Sequence, residues 1–244
     1  MADDAIRLAR RVAEMVPCSR AEAERYIAGG WVSVDGAVVE EPATRVTDEQ
    51  DIALLPGATA LEPAPVTILL HKPAGFNAGV GAQGQPALEC LTEATLEQAD
   101  HGRQRFLKRH LARLTLTSPL ETAASGLVIY TQDFRVARKL IDDGARVEHE
   151  YVAEVSGQVR EGGLALLNHG LTFNGKPVAP MKVSWQNENR LRFAAKGLKP
   201  GQIEHMCRAV GLEVVSLKRI RIGRISMASL AAGRWRYLAD YERF

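Results

Sequence analysis

The sequence predicts an α+β chain in two parts, a small N-terminal one and a larger one built on a mainly antiparallel sheet. Three observations predict it. The first 55 residues read as helix, helix, hairpin and short strand. A stretch containing Pro56, Gly57, Pro63 and Pro65 follows, which is linker chemistry. Beyond it, strand-like and helix-like runs mix without the regular βαβ alternation of a parallel fold. Domains are therefore expected at 1–56 and 66–244.

Residues 5–16 place Ile6, Ala9, Val12, Ala13 and Val16 at helical spacing, which predicts an amphipathic helix. Ser19 with Glu22 three residues on forms a capping box for a second helix over about 20–28. Gly29-Gly30 supplies its stop signal. Apolar runs either side of Asp35-Gly36 predict a β-hairpin. In the larger part, strands are expected at Val66–Leu70, Leu127–Thr131, 150–155, 178–185, 190–195, 213–222 and 225–228. Helices are expected at 133–142, 161–169 and 202–210. Gly79-Val80-Gly81-Ala82-Gln83-Gly84 fits the spacing Gly-x-Gly-x-x-Gly. It neither directly follows a strand nor opens a helix, as a dinucleotide site requires, and it reads as a flexible loop.

Charge narrows the function classes. Net charge is +2, but residues 1–60 hold 6 basic and 11 acidic residues, and the remainder holds 25 and 18. Local clusters must carry any case for nucleic acid. His101–Arg113 holds Arg103, Arg105, Lys108, Arg109 and Arg113 with no acid. It suits either a phosphate backbone or an exposed helix with a face of Leu107, Leu111 and Leu114. Lys218, Arg219, Arg221, Arg224, Arg234 and Arg236 form a second run. Strand alternation places some of these on one face. Cys18, Cys90 and Cys207 offer no disulfide framework or metal spacing, so no metal is expected. No apolar run approaches a membrane span. A cytoplasmic monomer is expected.

Two resemblances sharpen this reading. Ser19-Arg20 at a helix start, followed by Gly30, Val32, Val34, Asp35 and Gly36, resembles the small RNA-binding S4 domain. The helix start with its capping Ser is a phosphate-binding arrangement. With Ser19, the arginines Arg7, Arg10, Arg11, Arg20 and Arg25 are the candidate RNA contacts of this part. From about 66 to 240 the chain resembles bacterial ribosomal-RNA pseudouridine synthases. His71-Lys72-Pro73-Ala74-Gly75, Leu120-Glu121-Thr122-Ala123-Ala124-Ser125-Gly126, Glu150-Tyr151-Val152 and Gln202-Ile203-Glu204-His205-Met206 occur in that family's order. Leu217-Lys218-Arg219-Ile220 follows. The resemblance implies structured RNA, ribosomal RNA in particular, as partner. It implies uridine isomerisation without a cofactor and adds Lys72 and Arg219 as RNA contacts.

The same resemblance places Glu121 where the family has its catalytic Asp, Tyr151 at the aromatic position that packs on the flipped base, and Glu204 where the family has a basic partner. Pro119 replaces the family's Arg. Two readings stay open. Glu121 either serves as the catalytic carboxylate, or the chain has weakened or lost its chemistry and kept RNA binding, for example in ribosome assembly. His205 or Arg219 are the candidates to supply the absent positive charge. A third class, a protein-interaction module using only the fold, is separated from both by salt-sensitive RNA binding.

Overall fold

The computed structural model describes residues 5–81, 83–97 and 105–244. The chain forms two compact units. The first comprises the chain up to Pro65 together with Arg105–Ala112. The second comprises the rest, beginning at Val66. The division falls at Pro65–Val66, at the end of the expected linker, while eight residues from the middle of the larger part group with the smaller one. No helix is long and apolar enough to cross a membrane among the described residues.

The first unit packs α1 (Leu8–Met15) and α2 (Arg20–Ala28) against a small sheet of β1 (Val32–Val34), β2 (Ala37–Val38) and β3 (Ile52–Leu54), in the order β2-β1-β3. Its core is Leu8, Val12, Ala23, Ile27, Val32 and Ile52. The expected helix over 5–16 begins later, at Leu8, because Ile6 and Arg7 are extended and pair with Val46 and Arg45. Ser19 and Glu22 form the reciprocal capping box, which stabilises a helix start by about 1 kcal/mol. Asp35 and Gly36 both have positive φ (51° and 80°), the requirement of a tight two-residue hairpin turn. The inserted segment is clasped by stacking. Arg105 lies 4.6 Å above the Trp31 ring and donates to the Gly30 carbonyl. Leu107 is 5% exposed. Residues 108–111 make a single 3-10 turn. Of the two readings of this stretch, the exposed helix with a leucine face is therefore absent over 105–113, and residues 101–104 lie outside the described residues.

The second unit is built on a mainly antiparallel sheet. Its strands are β4 (Thr67–Lys72), β5 (Ser125–Thr131), β6 (Glu148–Gly157), β7 (Lys182–Asn187), β8 (Arg190–Lys196), β9 (Leu212–Ile222) and β10 (Trp235–Tyr237). They run in the order β7-β8-β6-β9-β5-β4-β10, and Thr115–Leu116 and Ile225–Ser226 pair off the path. Along that path the one parallel pairing joins β5 to β9, with Gly126 opposite Arg219. Gly126 has φ +115°, and a Cβ there would lie 2.2 Å from the Arg219 carbonyl oxygen. Only glycine permits so close an approach at that φ. Helices α3 (Phe134–Asp142), α4 (Gly163–Asn168) and α5 (Gln202–Ala209) complete the unit. Gly79-Val80, expected as flexible loop, instead forms a short parallel strand with Leu120-Glu121.

A bulge decides which side of the sheet each arginine of β9 serves. Tyr151 is opposite Arg219, yet the preceding Glu150 is opposite Arg221, so the register shifts between them. Without that shift, Arg219 and Arg221 would share a face, being two residues apart. With it they take opposite faces, because a bulge inserts an unmatched residue. Arg221 binds Glu150 at 2.6 Å and also pairs with Glu148, and Arg192 pairs with Glu150. The Arg221 guanidinium, hydrogen-bonded to Glu150, holds that carboxyl below the usual range. Arg219 is left on the face of Tyr151.

Candidate active site

On that face opens a cavity of about 600 Å³. Glu121, Tyr151, Glu204 and Arg219 line it together with His149, Pro119, Ile141 and Lys199. The structure thus brings together the three residues expected to carry catalysis. Glu121 reaches the cavity from the short strand Leu120–Glu121. That strand is secured by backbone bonds from Leu120 to the Ala78 carbonyl and from Thr122 to the Val80 carbonyl, both 3.0 Å. Its Oε1 accepts the Gly201 backbone N–H at 2.5 Å. Gly201 is the N-cap of α5, so the carboxylate sits where the helix dipole favours negative charge. Glu204 lies in the first turn of the same helix and is exposed.

Arg219 is 2% exposed. Its Nε donates to the Leu127 carbonyl at 2.8 Å. One terminal nitrogen donates to the Pro119 carbonyl at 3.0 Å and to the Tyr151 hydroxyl at 3.4 Å. The other donates to the Ser118 carbonyl at 2.6 Å. Tyr151 is itself buried, with the guanidinium 5.9 Å from its ring centre. The rigid arginine fork therefore ties the segment leading into Glu121 to the aromatic wall. Lys72 is fully buried. Its ammonium donates to the carbonyls of Pro73, Phe76, Thr122 and Ala124. Burial first, then the charge of Arg219, pulls its pKa down to about 8. Both residues were expected to contact RNA; in the structure their donors are committed to the fold. Lys72 spends its ammonium on backbone carbonyls away from the cavity lining, and Arg219, buried on the cavity wall, spends its donors on carbonyls and the Tyr151 hydroxyl.

The second basic run is likewise mostly spent on the fold. Arg234 donates to the Ala94 carbonyl at 2.6 Å, and Arg236 pairs with Glu242 at 2.7 Å. Lys218, Arg224 and Arg234 are its exposed members. His205, a candidate for the absent cation, sits against the Thr172 carbonyl at 3.0 Å and the Phe173 ring, and it is not among the cavity's lining residues. Arg219 and Lys199 are the cations that line the cavity among the described residues. Cys207 is buried, and desolvation pushes its thiol up to about 12, so it is no nucleophile at neutral pH.

In the first unit, Arg7, Arg10, Ser19, Arg20 and Arg25 are exposed and Arg11 is partly buried. Arg10 pairs with Glu14 at 2.8 Å, Arg20 with Glu24 at 3.2 Å, and Arg11 with Asp48. Arg7 and Arg25 form no ion pair among the described residues. The N-terminus of α2, expected to hold a phosphate, is occupied by Glu22. Its carboxylate takes both the Ser19 N–H and the Ser19 hydroxyl at 2.8 Å. A phosphate would have to displace it.

His149 escaped the reading of the sequence, although it sits two residues before Tyr151 on one strand and so shares its face. Burial, then the charges of Arg219 and Arg221, depress its pKa to about 3. A second buried imidazole, His110, is held down to about 4 by burial and Arg109. Their unfolded values lie near 6.5. Below that pH the unfolded chain binds more protons than the folded one, so stability falls as pH falls. Each histidine contributes about 1.4 kcal/mol per pH unit once fully in that regime. Between pH 6.5 and 5, above most carboxylate titrations, unfolding free energy should decline with proton uptake, and His149→Gln should make the slope shallower. Urea titrations at several pH values check this, and an unchanged slope in the variant would refute it.

Comparison with known proteins agrees with this architecture. A family model described as "S4 domain" matches residues 6–52. The ribosomal large subunit pseudouridine synthase B of Bacillus subtilis is 28% identical over 242 residues, 97% of this chain and 93% of that one. The ribosomal small subunit pseudouridine synthase A of Escherichia coli is 25% identical over 240 residues, 97% and 98% of the two chains. A longer chloroplastic relative of Arabidopsis thaliana is 28% identical, and this chain spans 56% of it. Among solved structures, a crystal structure of pseudouridylate synthase superposes with a TM-score of 0.59 at 21% identity, covering 96% of each chain. The chain therefore carries an S4 domain, has the fold of a pseudouridylate synthase, and is similar over almost its whole length to ribosomal RNA pseudouridine synthases.

Proposed function

We propose that the protein binds structured RNA, ribosomal RNA in particular, as a monomer, and isomerises a uridine seated in the cavity beside Tyr151. One observation carries this reading. A carboxylate, Glu121, and an aromatic ring, Tyr151, share a single open cavity of about 600 Å³, within the roughly 300–1,000 Å³ of small-ligand sites. A base inside a helix cannot reach such a site, so the nucleotide must leave its stack.

The proposed chemistry is confined to one nucleotide. With Glu121 assisting, the bond from the ribose C1′ to N1 of the base breaks. The base turns against Tyr151, and its C5 bonds to C1′. The proton on C5 leaves, and N1 gains one. Atoms and charge balance without an added cofactor. Arg219 acts through Glu121 and Tyr151, since its fork anchors the carbonyls of Ser118 and Pro119, and is a positioning residue. Exposed Arg7 and Arg25, which form no ion pair among the described residues, are assigned to phosphate contact.

A second reading, RNA binding with weak or absent turnover, is favoured by a different observation. One oxygen of Glu121 is already engaged by the Gly201 amide, and Glu204 adds a second carboxylate to the cavity. Mass-spectrometric mapping of pseudouridine in ribosomal RNA from cells with and without the protein separates the two. A site lost with the protein supports isomerisation. Unchanged maps with salt-sensitive RNA binding support the second reading, and absence of RNA binding at low salt refutes both.

A further inference from the structure

Helix α3 carries two large apolar side chains that the fold leaves uncovered. Phe134 is 70% exposed and Ile141 is 52% exposed, whereas Leu140 is buried in the core. Seven residues separate the two exposed ones, which puts them on one side of the helix and about 10 Å apart along its axis. Ile141 also lines the cavity of Glu121 and Tyr151. Between the two lie exposed Arg138 and Lys139. Arg138 approaches Asp142 at no closer than 3.8 Å. Lys199, also exposed, lines the same cavity.

A lone exposed isoleucine carries no message. An isoleucine on the rim of a nucleotide-sized cavity, in line with an exposed aromatic and with the cation Arg138 between them, matches the chemistry of an RNA strand. The geometry points to α3 as the element that holds RNA open around the target nucleotide, Ile141 filling the gap left in the base stack and Phe134 stacking on a neighbouring base. This rests on the reading of the cavity as a nucleotide site. A nucleotide that swings out leaves an apolar slot between its neighbours, and apolar wedges are the side chains that occupy such slots. The spacing of Phe134 from Ile141 corresponds to about three base rises of ~3.4 Å. Aromatic rings accept any base face, so this contact adds affinity without sequence preference. Arg138, four residues from Phe134 and on the same side of the helix, would then meet the phosphates between the two stacking points. Ile141 touches the neighbours of the reacting nucleotide, which makes it a positioning residue.

The test uses the full chain and an RNA hairpin with a uridine in its loop and 2-aminopurine beside that uridine, a base whose fluorescence rises on unstacking. Binding is followed by anisotropy on the same sample. The parent should bind and brighten the probe. Ile141→Ala should bind about tenfold more weakly and lose most of the brightening at saturation, and Ile141→Leu should restore it. Phe134→Ala should weaken binding while leaving the brightening intact. On a hairpin whose bases flanking the uridine are removed, the Ile141→Ala penalty should vanish, because no stack remains to be held open. Both side chains are exposed, so thermal midpoints should not move. Equal brightening by parent and Ile141→Ala, or parent binding without brightening, would overturn the assignment of α3 and leave RNA binding standing. A parent that shows no salt-sensitive binding to the hairpin would overturn the nucleotide reading and this one with it.

Discussion

Arg219→Met is expected to destabilise the protein by roughly 3–5 kcal/mol, because a committed buried donor set is removed at once. The guanidinium is 2% exposed and donates to the carbonyls of Ser118, Pro119 and Leu127 and to the Tyr151 hydroxyl. Methionine fills much of the same space with no donor. Each carbonyl left unpaired away from water costs about 1–3 kcal/mol, and partial relaxation keeps the total below the sum. Arg219→Lys should recover only part of the loss, since one ammonium cannot span the positions of a planar fork. Urea unfolding of the three proteins at pH 7 measures this. A midpoint for Arg219→Met corresponding to less than about 1 kcal/mol of loss would show that the carbonyls find other partners.

The paired change Glu121→Asp with Glu204→Arg is expected to raise isomerase activity by about 10²-fold over the parent, the scale of a 1 Å correction in a reacting group. Aspartate withdraws the carboxylate by one methylene, away from the Gly201 amide it now engages at 2.5 Å. Arginine at 204 puts a cation into a cavity wall that now carries two carboxylates. The gain should exceed the product of the two single variants, since carboxylate and cation act as a unit. A stability cost accompanies it. Residue 204 lies in the first turn of α5, where a cation opposes the helix dipole by about 0.3–1 kcal/mol. Single-turnover assays on RNA, compared across parent, singles and double, decide the matter. A parent already as fast as the double variant would refute the weakened reading.

The sequence was most legible where contacts are short in range. The Ser19–Glu22 capping box spans three residues and appears in the structure as written. The Asp35-Gly36 turn is equally local. The strands of the larger unit fall close to their expected places, since an apolar run needs only its own residues to announce it. Glu121, Tyr151 and Glu204 were reached through resemblance and meet in one cavity. His149 was legible in principle, by its two-residue spacing from Tyr151.

What stayed hidden depends on partners far along the chain. Lys72 looks like a surface lysine until Thr122 and Ala124, about fifty residues on, close around its ammonium. Arg219 and Arg221 look equivalent until the bulge opposite Glu150 and Tyr151 sends them to opposite faces. Residues 105–112 read as part of the larger domain until Arg105 stacks on Trp31 and Leu107 is buried. The sequence by itself determined the class of fold, the capped helices, the hairpin and the residue types around the cavity, because local torsional preference and periodic burial are written in neighbouring residues. Only the tertiary structure decided which cations face solvent and which are consumed beneath the site. That choice rests on backbone carbonyls brought together from distant segments, and no local pattern encodes it.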